Sequence, residues 1–145
     1  MWQDILASGR TVTLRVRGRS MRPLWHHNRD SVRLSSLTGE LRVGLIVLAE
    51  VEPEHYVIHR IVALQPERVV LRGDGNPYAR EYCSPHQVLG VITSFTLCRC
   101  GRCYVFSTSG WFWKLYSALW PSSALLRRCL LKLDRCLFGA DDLTQ

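Results

Sequence analysis

An alternating segment near the amino terminus runs directly into a serine that lies between a glycine and a proline: Thr11-Val12-Thr13-Leu14-Arg15-Val16-Arg17-Gly18-Arg19-Ser20-Met21-Arg22-Pro23. Polar and apolar residues alternate with the period of a half-buried strand. Gly18 tolerates unusual backbone angles and Pro23 lacks a backbone donor, so regular structure ends between them. We therefore expect Ser20 at the exit of a strand, on a loop that a rigid scaffold holds against a cleft.

Composition and charge indicate one domain with a basic surface. The chain has 145 residues, of which 47% are hydrophobic and 21% are charged, and its formal net charge is +7. This length is sufficient for one core with an appendage and short for two domains. A positive charge suits nucleic acid, an anionic membrane surface or an acidic peptide. Because the arginines are spread along predicted strands, we interpret them as a solvated face and expect no nucleic acid partner.

The rest of the amino-terminal body also has the patterns of strands. A short helix is predicted at residues 2–8. Further strands are predicted at residues 31–34, 45–48, 56–64, 68–72 and 87–98. Turn residues separate the last three of these segments. We therefore expect a mainly β domain over residues 1–104.

The carboxyl-terminal part, residues 105–145, has a different character. Aromatic side chains and leucines crowd into residues 111–120, and residues 124–138 place leucines at helical spacing beside arginines and a lysine. No uncharged run is long enough for a clear membrane span. Two interpretations remain open: helices that lie in a membrane interface, and a helical hairpin packed against the sheet or a partner.

The six cysteines and the amino terminus bear on location. The first residues lack the long apolar run of a signal peptide, so we expect a cytoplasmic protein, either free or peripheral to the inner membrane. In that reducing compartment we expect the cysteines to be thiols without a disulfide framework. Cys98, Cys100 and Cys103 are close enough to suggest a metal, but their spacing is not that of a paired zinc module. We expect no metal or other cofactor.

Three motifs follow one another along the chain: Ser20-Met21-Arg22-Pro23 after a strand, His59-Arg60 inside a strand, and Gly73-Asp74-Gly75-Asn76 in a turn. Over residues 12–91 this order resembles the signal peptidase I family, specifically its archaeal and endoplasmic reticulum branch. A histidine there stands where the bacterial enzymes, and self-cleaving repressors of related fold, carry a lysine. The resemblance implies a small coiled, barrel-like β-sheet as a catalytic core.

The resemblance also implies catalytic roles. Ser20 is the nucleophile and His59 is the general base, because a serine hydroxyl needs a base within hydrogen-bond reach and imidazole titrates near neutrality. Asp74 is the first choice for the carboxylate that orients His59, and Glu81 is the second. His26 and His27 are near Ser20 in sequence but lie in a predicted loop, where we expect them to be solvated, and lack the strand context that would hold a base.

The two turns have supporting roles. The backbone N–H of Ser20 is the expected oxyanion donor, beside Gly18 and Met21. The second turn is expected to be structural and contains Gly73, Gly75 and Asn76.

The sequence departs from the family at three points. Gly18 occupies a position where many members supply a serine hydroxyl, and Leu45 replaces an aspartate. The residues before Ser20 are also too few for the usual membrane anchor.

These observations favour a serine endopeptidase that cleaves a leader or precursor peptide. The alternative is a peptide-binding or delivery module of the same fold with little or no turnover. In both cases the expected partner is a peptide or protein, bound as an extended strand with small side chains in shallow pockets. The carboxyl-terminal segment would contact a membrane surface or a transporter.

Overall fold

The computed structural model describes residues 2–121 and 123–138. Antiparallel strands are the main regular structure of the described chain, and α-helices stand at its two ends. The elements in chain order are α1 (Trp2–Ala7), β1 (Val12–Arg15), β2 (Ser31–Ser35), β3 (Ile46–Glu52), β4 (His55–Gln65), β5 (Arg68–Arg72), β6 (Glu81–Cys83), β7 (Val88–Arg99), β8 (Arg102–Ser107), α2 (Trp111–Leu119) and α3 (Ala124–Phe138).

The strands join into one sheet of eight in the order β1-β2-β7-β3-β4-β5-β6, with β8 also paired to β7. The long strand β7 pairs with β3 near its start, with β2 in its middle and with β8 at its end. Register shifts interrupt its pairing with β2 and with β3. Such irregularities bend strands and increase their twist, which lets a single strand serve three neighbours.

Both faces of β3 are buried, and each faces a different core. Ile46 and Leu48 pack into a cluster with Trp25 and Phe95, whereas Val47 and Ala49 pack into a second cluster. Side chains alternate between the two faces of a strand, so a strand that is covered on both sides reads as a continuous apolar run. This explains the uninterrupted hydrophobic pattern at residues 45–48.

The prediction that all cysteines are thiols is wrong for one pair. Cys98 and Cys103 form a disulfide between β7 and β8. Cys100 and Gly101 make the two-residue turn between these strands, with φ angles of +50° and +73°, and a turn with two positive φ angles is the one that closes a tight hairpin. Cys98 therefore faces Cys103 in register, and the spacing that suggested a metal belongs to this hairpin.

Helix α2 packs against the sheet, as one of the two interpretations expected, and α3 packs against the loops that carry Arg22 and Asp74. The indole of Trp113 in α2 stacks on that of Trp25, with ring centroids 6.2 Å apart, and lies tilted against the ring of Phe95, with centroids 5.4 Å apart. In α3 the buried residues are Arg127, Leu131 and Asp134. Their spacing places them on one face of the helix, so the inner face of α3 carries two charged residues.

Most predicted elements are confirmed, with shifts of one to four residues at their ends. Two strands were not predicted, β6 and β8, and the expected boundary between residues 104 and 105 falls inside β8. None of the helices in the described ranges has both the length and the hydropathy that a membrane crossing requires.

Candidate active site

The loop that carries Ser20 is anchored on both sides. Before it, Gly18 has a φ of +83°, which favours glycine, and its N–H donates to Nδ1 of His27 at 2.9 Å. After it, the side chains of Met21 and Trp25 are buried in the first core. A loop between two such anchors holds the intervening serine in one place.

The turn that contains Gly73 and Gly75 packs directly against the backbone of Ser20. The N–H of Gly75 donates to the carbonyl of Ser20 at 2.7 Å. A Cβ atom on Gly73 would overlap the same carbonyl, and one on Gly75 would overlap the carbonyl of Arg19. Neither glycine has a positive φ, so glycine is required here for close approach and not for backbone conformation.

Asn76 and Met21 complete this contact. The side-chain oxygen of Asn76 accepts hydrogen bonds from the N–H groups of Tyr78 and Ala79, at 3.2 and 2.9 Å, as asparagine commonly does in turns. The N–H of Asp74 donates to the sulfur of Met21 at 3.4 Å. These residues therefore hold the turn and the serine loop together.

His59 lies in the middle of β4 and meets Glu81 at the start of β6. Its Nδ1 atom lies 2.6 Å from Oε2 of Glu81. Burial lowers the pKa of His59 below its ordinary value, and the charge of Glu81 and its contact with the ring oppose this shift. The imidazole is therefore kept neutral near neutral pH, and the carboxylate of Glu81 lies next to its Nδ1 atom.

Strand register explains this contact. Ile61 pairs with Leu71, which pairs with Glu81, and paired residues point to the same face of a sheet. His59 lies two residues before Ile61 and so shares that face. β5 ends at Arg72, the partner of Arg60, and no strand residue separates His59 from Glu81 at this end.

Asp74, the first choice for orienting His59, is held by Arg60 instead. The guanidinium of Arg60 binds both carboxylate oxygens of Asp74, with N–O distances of 2.7 and 2.8 Å. Burial disfavours the charge of Arg60, but its hydrogen bonds with Asp74 raise the pKa of the guanidinium. Arg60 follows His59 in β4 and therefore points to the opposite face. The geometry thus favours Glu81 over Asp74 as the carboxylate that contacts His59.

Residues of α2 and α3 reach the same turn. The hydroxyl of Tyr116 donates to Oδ2 of Asp74 at 3.3 Å, and Nη1 of Arg127 donates to the carbonyl of Asp74 at 3.3 Å. Burial, followed by the charge of Asp74, raises the pKa of Tyr116. Arg60 also donates to the hydroxyl of Ser117 at 3.0 Å. The carboxyl-terminal helices thus support the Asp74 turn, which in turn supports Ser20.

Ser20 and His59 line the same cavity, which has a volume of about 520 Å³. The wall is mainly apolar and includes the buried side chains of Val16, Trp25 and Leu48. This space exceeds the shallow pockets expected from the sequence, because it accommodates a large side chain or more than one residue of a peptide.

The two histidines near Ser20 have other contacts. Nε2 of His26 lies 3.0 Å from the carbonyl of Pro23 and 3.6 Å from Oδ1 of Asp134, and the residue is buried although we expected it to be solvated. His27 accepts the N–H of Gly18. Within the described residues, no group of three or more His, Cys, Asp and Glu side chains is arranged to hold a metal ion.

The partners that Asp74 has outside its own turn could not all be predicted from the sequence. Arg60 entered the prediction only as part of the His59-Arg60 motif. An arginine in the middle of a buried strand, however, signals a buried partner of opposite charge. The roles of Tyr116 and Arg127 had no local signal, because both residues belong to patterns that predict only amphipathic helices.

Compared with models of protein families, with curated proteins and with solved structures, the chain shows no significant match. The functional interpretation therefore depends on the geometry of this site and on the motif resemblance.

Proposed function

We propose that this protein is a serine endopeptidase of the signal peptidase type, with Ser20 as nucleophile, His59 as general base and Glu81 as the carboxylate that orients His59. The substrate class is a leader-bearing or precursor peptide. The observation that carries the proposal is the contact between His59 and Glu81 beside a cavity that Ser20 also lines.

The orientation of the imidazole suits this role. Because Nδ1 lies 2.6 Å from Oε2 of Glu81, the carboxylate favours the tautomer of neutral His59 with its proton on Nδ1 and its lone pair on Nε2. Nε2 takes the proton of the Ser20 hydroxyl as its oxygen attacks the scissile carbonyl. The same proton then passes to the leaving amine, an acyl-enzyme remains, and water activated by His59 releases the acid.

The oxyanion of the tetrahedral intermediate needs donors that are already in position. The backbone N–H of Ser20 supplies one. The peptide group that contains this N–H also contains the carbonyl of Arg19, which accepts a hydrogen bond from the N–H of Arg22 at 3.3 Å. Gly18 has no side-chain hydroxyl, so a second donor must come from another group.

An extended peptide can reach Ser20 by pairing with β1. This strand is at the end of the sheet and pairs with β2 on one side, and no other described strand pairs with it. Residues 14–17, at the end of β1 and just beyond it, line the cavity. A peptide added along this edge would place its side chains alternately toward the cavity and away from it.

A second candidate is a peptide-binding module that keeps the cleft without turnover. Gly18 favours it, because the missing hydroxyl donor removes one means of stabilising the intermediate. Both candidates use the same cavity and differ only in whether Ser20 reacts.

Labelling with a fluorophosphonate separates the two candidates. We expect the wild-type protein to be labelled at Ser20, with labelling abolished in Ser20→Ala and reduced at least about a hundredfold in His59→Ala. Ser36→Ala and His55→Ala, which alter a serine and a histidine outside the site, serve as matched controls and should be labelled normally. Labelling that persists in Ser20→Ala would exclude the proposed nucleophile. A folded wild-type protein that binds peptide but is not labelled would support the second candidate.

A further inference from the structure

Both carboxyl-terminal helices expose large apolar side chains to solvent. Four leucines of α3, Leu126, Leu130, Leu133 and Leu137, recur at the spacing of one helical stripe. All four are exposed, and the exposed fractions of Leu133 and Leu137 are 56% and 65%. In α2 the side chain of Trp111 is 77% exposed, and Leu115 and Leu119 are exposed on the same helix. We call these seven residues the outer apolar face.

The orientation of α3 is fixed by its inner face. Asp134 lies 3.5 Å from Nη1 of Arg22, and the side chain of Arg127 donates to the carbonyls of Pro121 and Asp74. Turning the leucines inward would expose Leu131 and remove these polar contacts from both charged residues. The leucines are therefore exposed because the helix is held by polar contacts on another side, and they remain available for a partner.

The exposed charges of α2 and α3 have one sign, and those of α3 lie on the side of the helix away from the leucine stripe. The exposed charged residues of α2 and α3 are Lys114, Arg128, Lys132 and Arg135. The acidic residue of the described helices α2 and α3 is Asp134, which is buried. A surface with leucines, a tryptophan and only positive exposed charge is complementary to a negatively charged apolar interface.

We propose that the outer apolar face docks onto an anionic lipid bilayer, with α2 and α3 lying parallel to its surface. Neither helix is suited to cross the bilayer, so the face enters only the interfacial region. Trp111 is the type of residue that prefers this region. The basic side chains contact lipid phosphates while the leucines enter the boundary between headgroups and acyl chains.

A second copy of the chain is a weaker partner for electrostatic reasons. Two copies that met through α2 and α3 would both bring only positive exposed charge on these helices, with no exposed carboxylate on α2 or α3 to neutralise it. Anionic lipid supplies the missing negative charge. Docking does not depend on catalysis, so its test is independent of Ser20.

The test is cosedimentation of the full chain with vesicles of phosphatidylcholine alone or mixed with phosphatidylglycerol. We expect binding to the mixed vesicles to be at least about tenfold tighter and to weaken with added salt. The double substitution Leu126→Gln with Leu133→Gln should reduce binding about tenfold or more. Lys132→Glu with Arg135→Glu should remove the preference for anionic lipid.

Leu64→Gln is the matched control, because Leu64 is an exposed leucine of β4 and lies outside both helices. This variant should bind like the wild type, and circular dichroism should show that all variants are folded. Equal binding to both kinds of vesicle, or unchanged binding of the leucine variant, would overturn the proposal. So would self-association without lipid, or binding to polyglutamate, that the leucine substitutions abolish, since these results assign the face to a second copy or to an acidic polypeptide.

Discussion

Nδ1 of His59 lies 2.6 Å from Oε2 of Glu81, whereas Asp74 is bound through both its carboxylate oxygens to Arg60. The two carboxylates near the site thus have separate tasks. Glu81 influences the ring that would act as base, and Asp74 holds the turn that supports the serine loop. Four predictions test this division and its consequences.

Replacing Glu81 with glutamine should move the titration of His59 to lower pH. Burial already lowers the pKa of His59, and the Glu81 carboxylate opposes that shift. Removing its charge leaves burial unopposed by this partner, so the pKa falls further. The pH at which fluorophosphonate labelling loses half its rate on the acid side should fall with it, and the maximal rate should decrease because the ring loses its orienting partner. Titration of the imidazole by NMR measures the first effect. A pKa that rises in Glu81→Gln would show that the contact does not act as described.

Stability should decrease in mild acid because two histidines are buried. Burial is the main cause that lowers the pKa values of both His26 and His59 from the ordinary 6.5. Below that pH the unfolded chain binds more protons than the folded chain, so the free energy of unfolding decreases as pH falls from 6.5 to the folded-state pKa values. Urea unfolding at a series of pH values measures the slope.

His26→Gln should make this slope shallower, whatever its effect on stability at neutral pH. His86→Gln, at an exposed histidine, is the control and should keep the wild-type slope. An equal slope in His26→Gln and wild type would contradict the assignment of this effect to His26.

Removing Arg60 should destabilise the fold strongly. Arg60→Ala leaves the carboxylate of Asp74, which is 2% exposed, without its main partner. Breaking one side of a buried ion pair typically costs about 3–5 kcal/mol. Arg33→Ala, at an exposed arginine of β2, should change the free energy of unfolding by less than about 0.5 kcal/mol. Denaturant unfolding of Arg60→Ala, Asp74→Ala and the double variant gives the coupling energy, and a value near zero would mean that the pair is not an interacting unit.

Adding a methyl group at Gly73 should displace the serine loop. The new Cβ atom would overlap the carbonyl of Ser20. Because a Cβ atom and a carbonyl cannot rotate away as the end of a long side chain can, we expect strain of about 1–3 kcal/mol. Labelling of Ser20 should fall by at least about tenfold, because small misplacements of a nucleophile are costly. In Gly39→Ala the new atom meets no neighbour within 4 Å, so labelling should be unchanged. A normally labelled Gly73→Ala would show that the turn does not position Ser20.

Much of the fold could be predicted because its signals are local. The alternation before Gly18 and the apolar run at residues 45–48 correspond to β1 and to β3. The strand β6 was missed because three residues are too few for a period to be visible. The hairpin of β7 and β8 was missed because its cysteines suggested thiol or metal chemistry, although Cys100-Gly101 has the character of a tight turn.

The candidate site was only partly predictable. Ser20 and His59 could be named from motifs, and they line one cavity. The geometry favours Glu81 over Asp74, the reverse of the order expected from the sequence, because Arg60 binds both carboxylate oxygens of Asp74. The support from Tyr116 and Arg127 was not visible, since a helical period does not tell which surface a helix will meet.

The amino-acid sequence by itself determined which segments form strands and helices, where glycine permits close approach, and which side chains are chemically able to act. Only the tertiary structure decided which carboxylate meets His59, how Cys98 pairs with Cys103, and which side of α3 turns toward the loops that carry Arg22 and Asp74. The physical reason is range. Backbone preferences and hydrophobic periods act between neighbouring residues, whereas partners far apart in the chain are selected by strand order, register and the space left after the cores have packed.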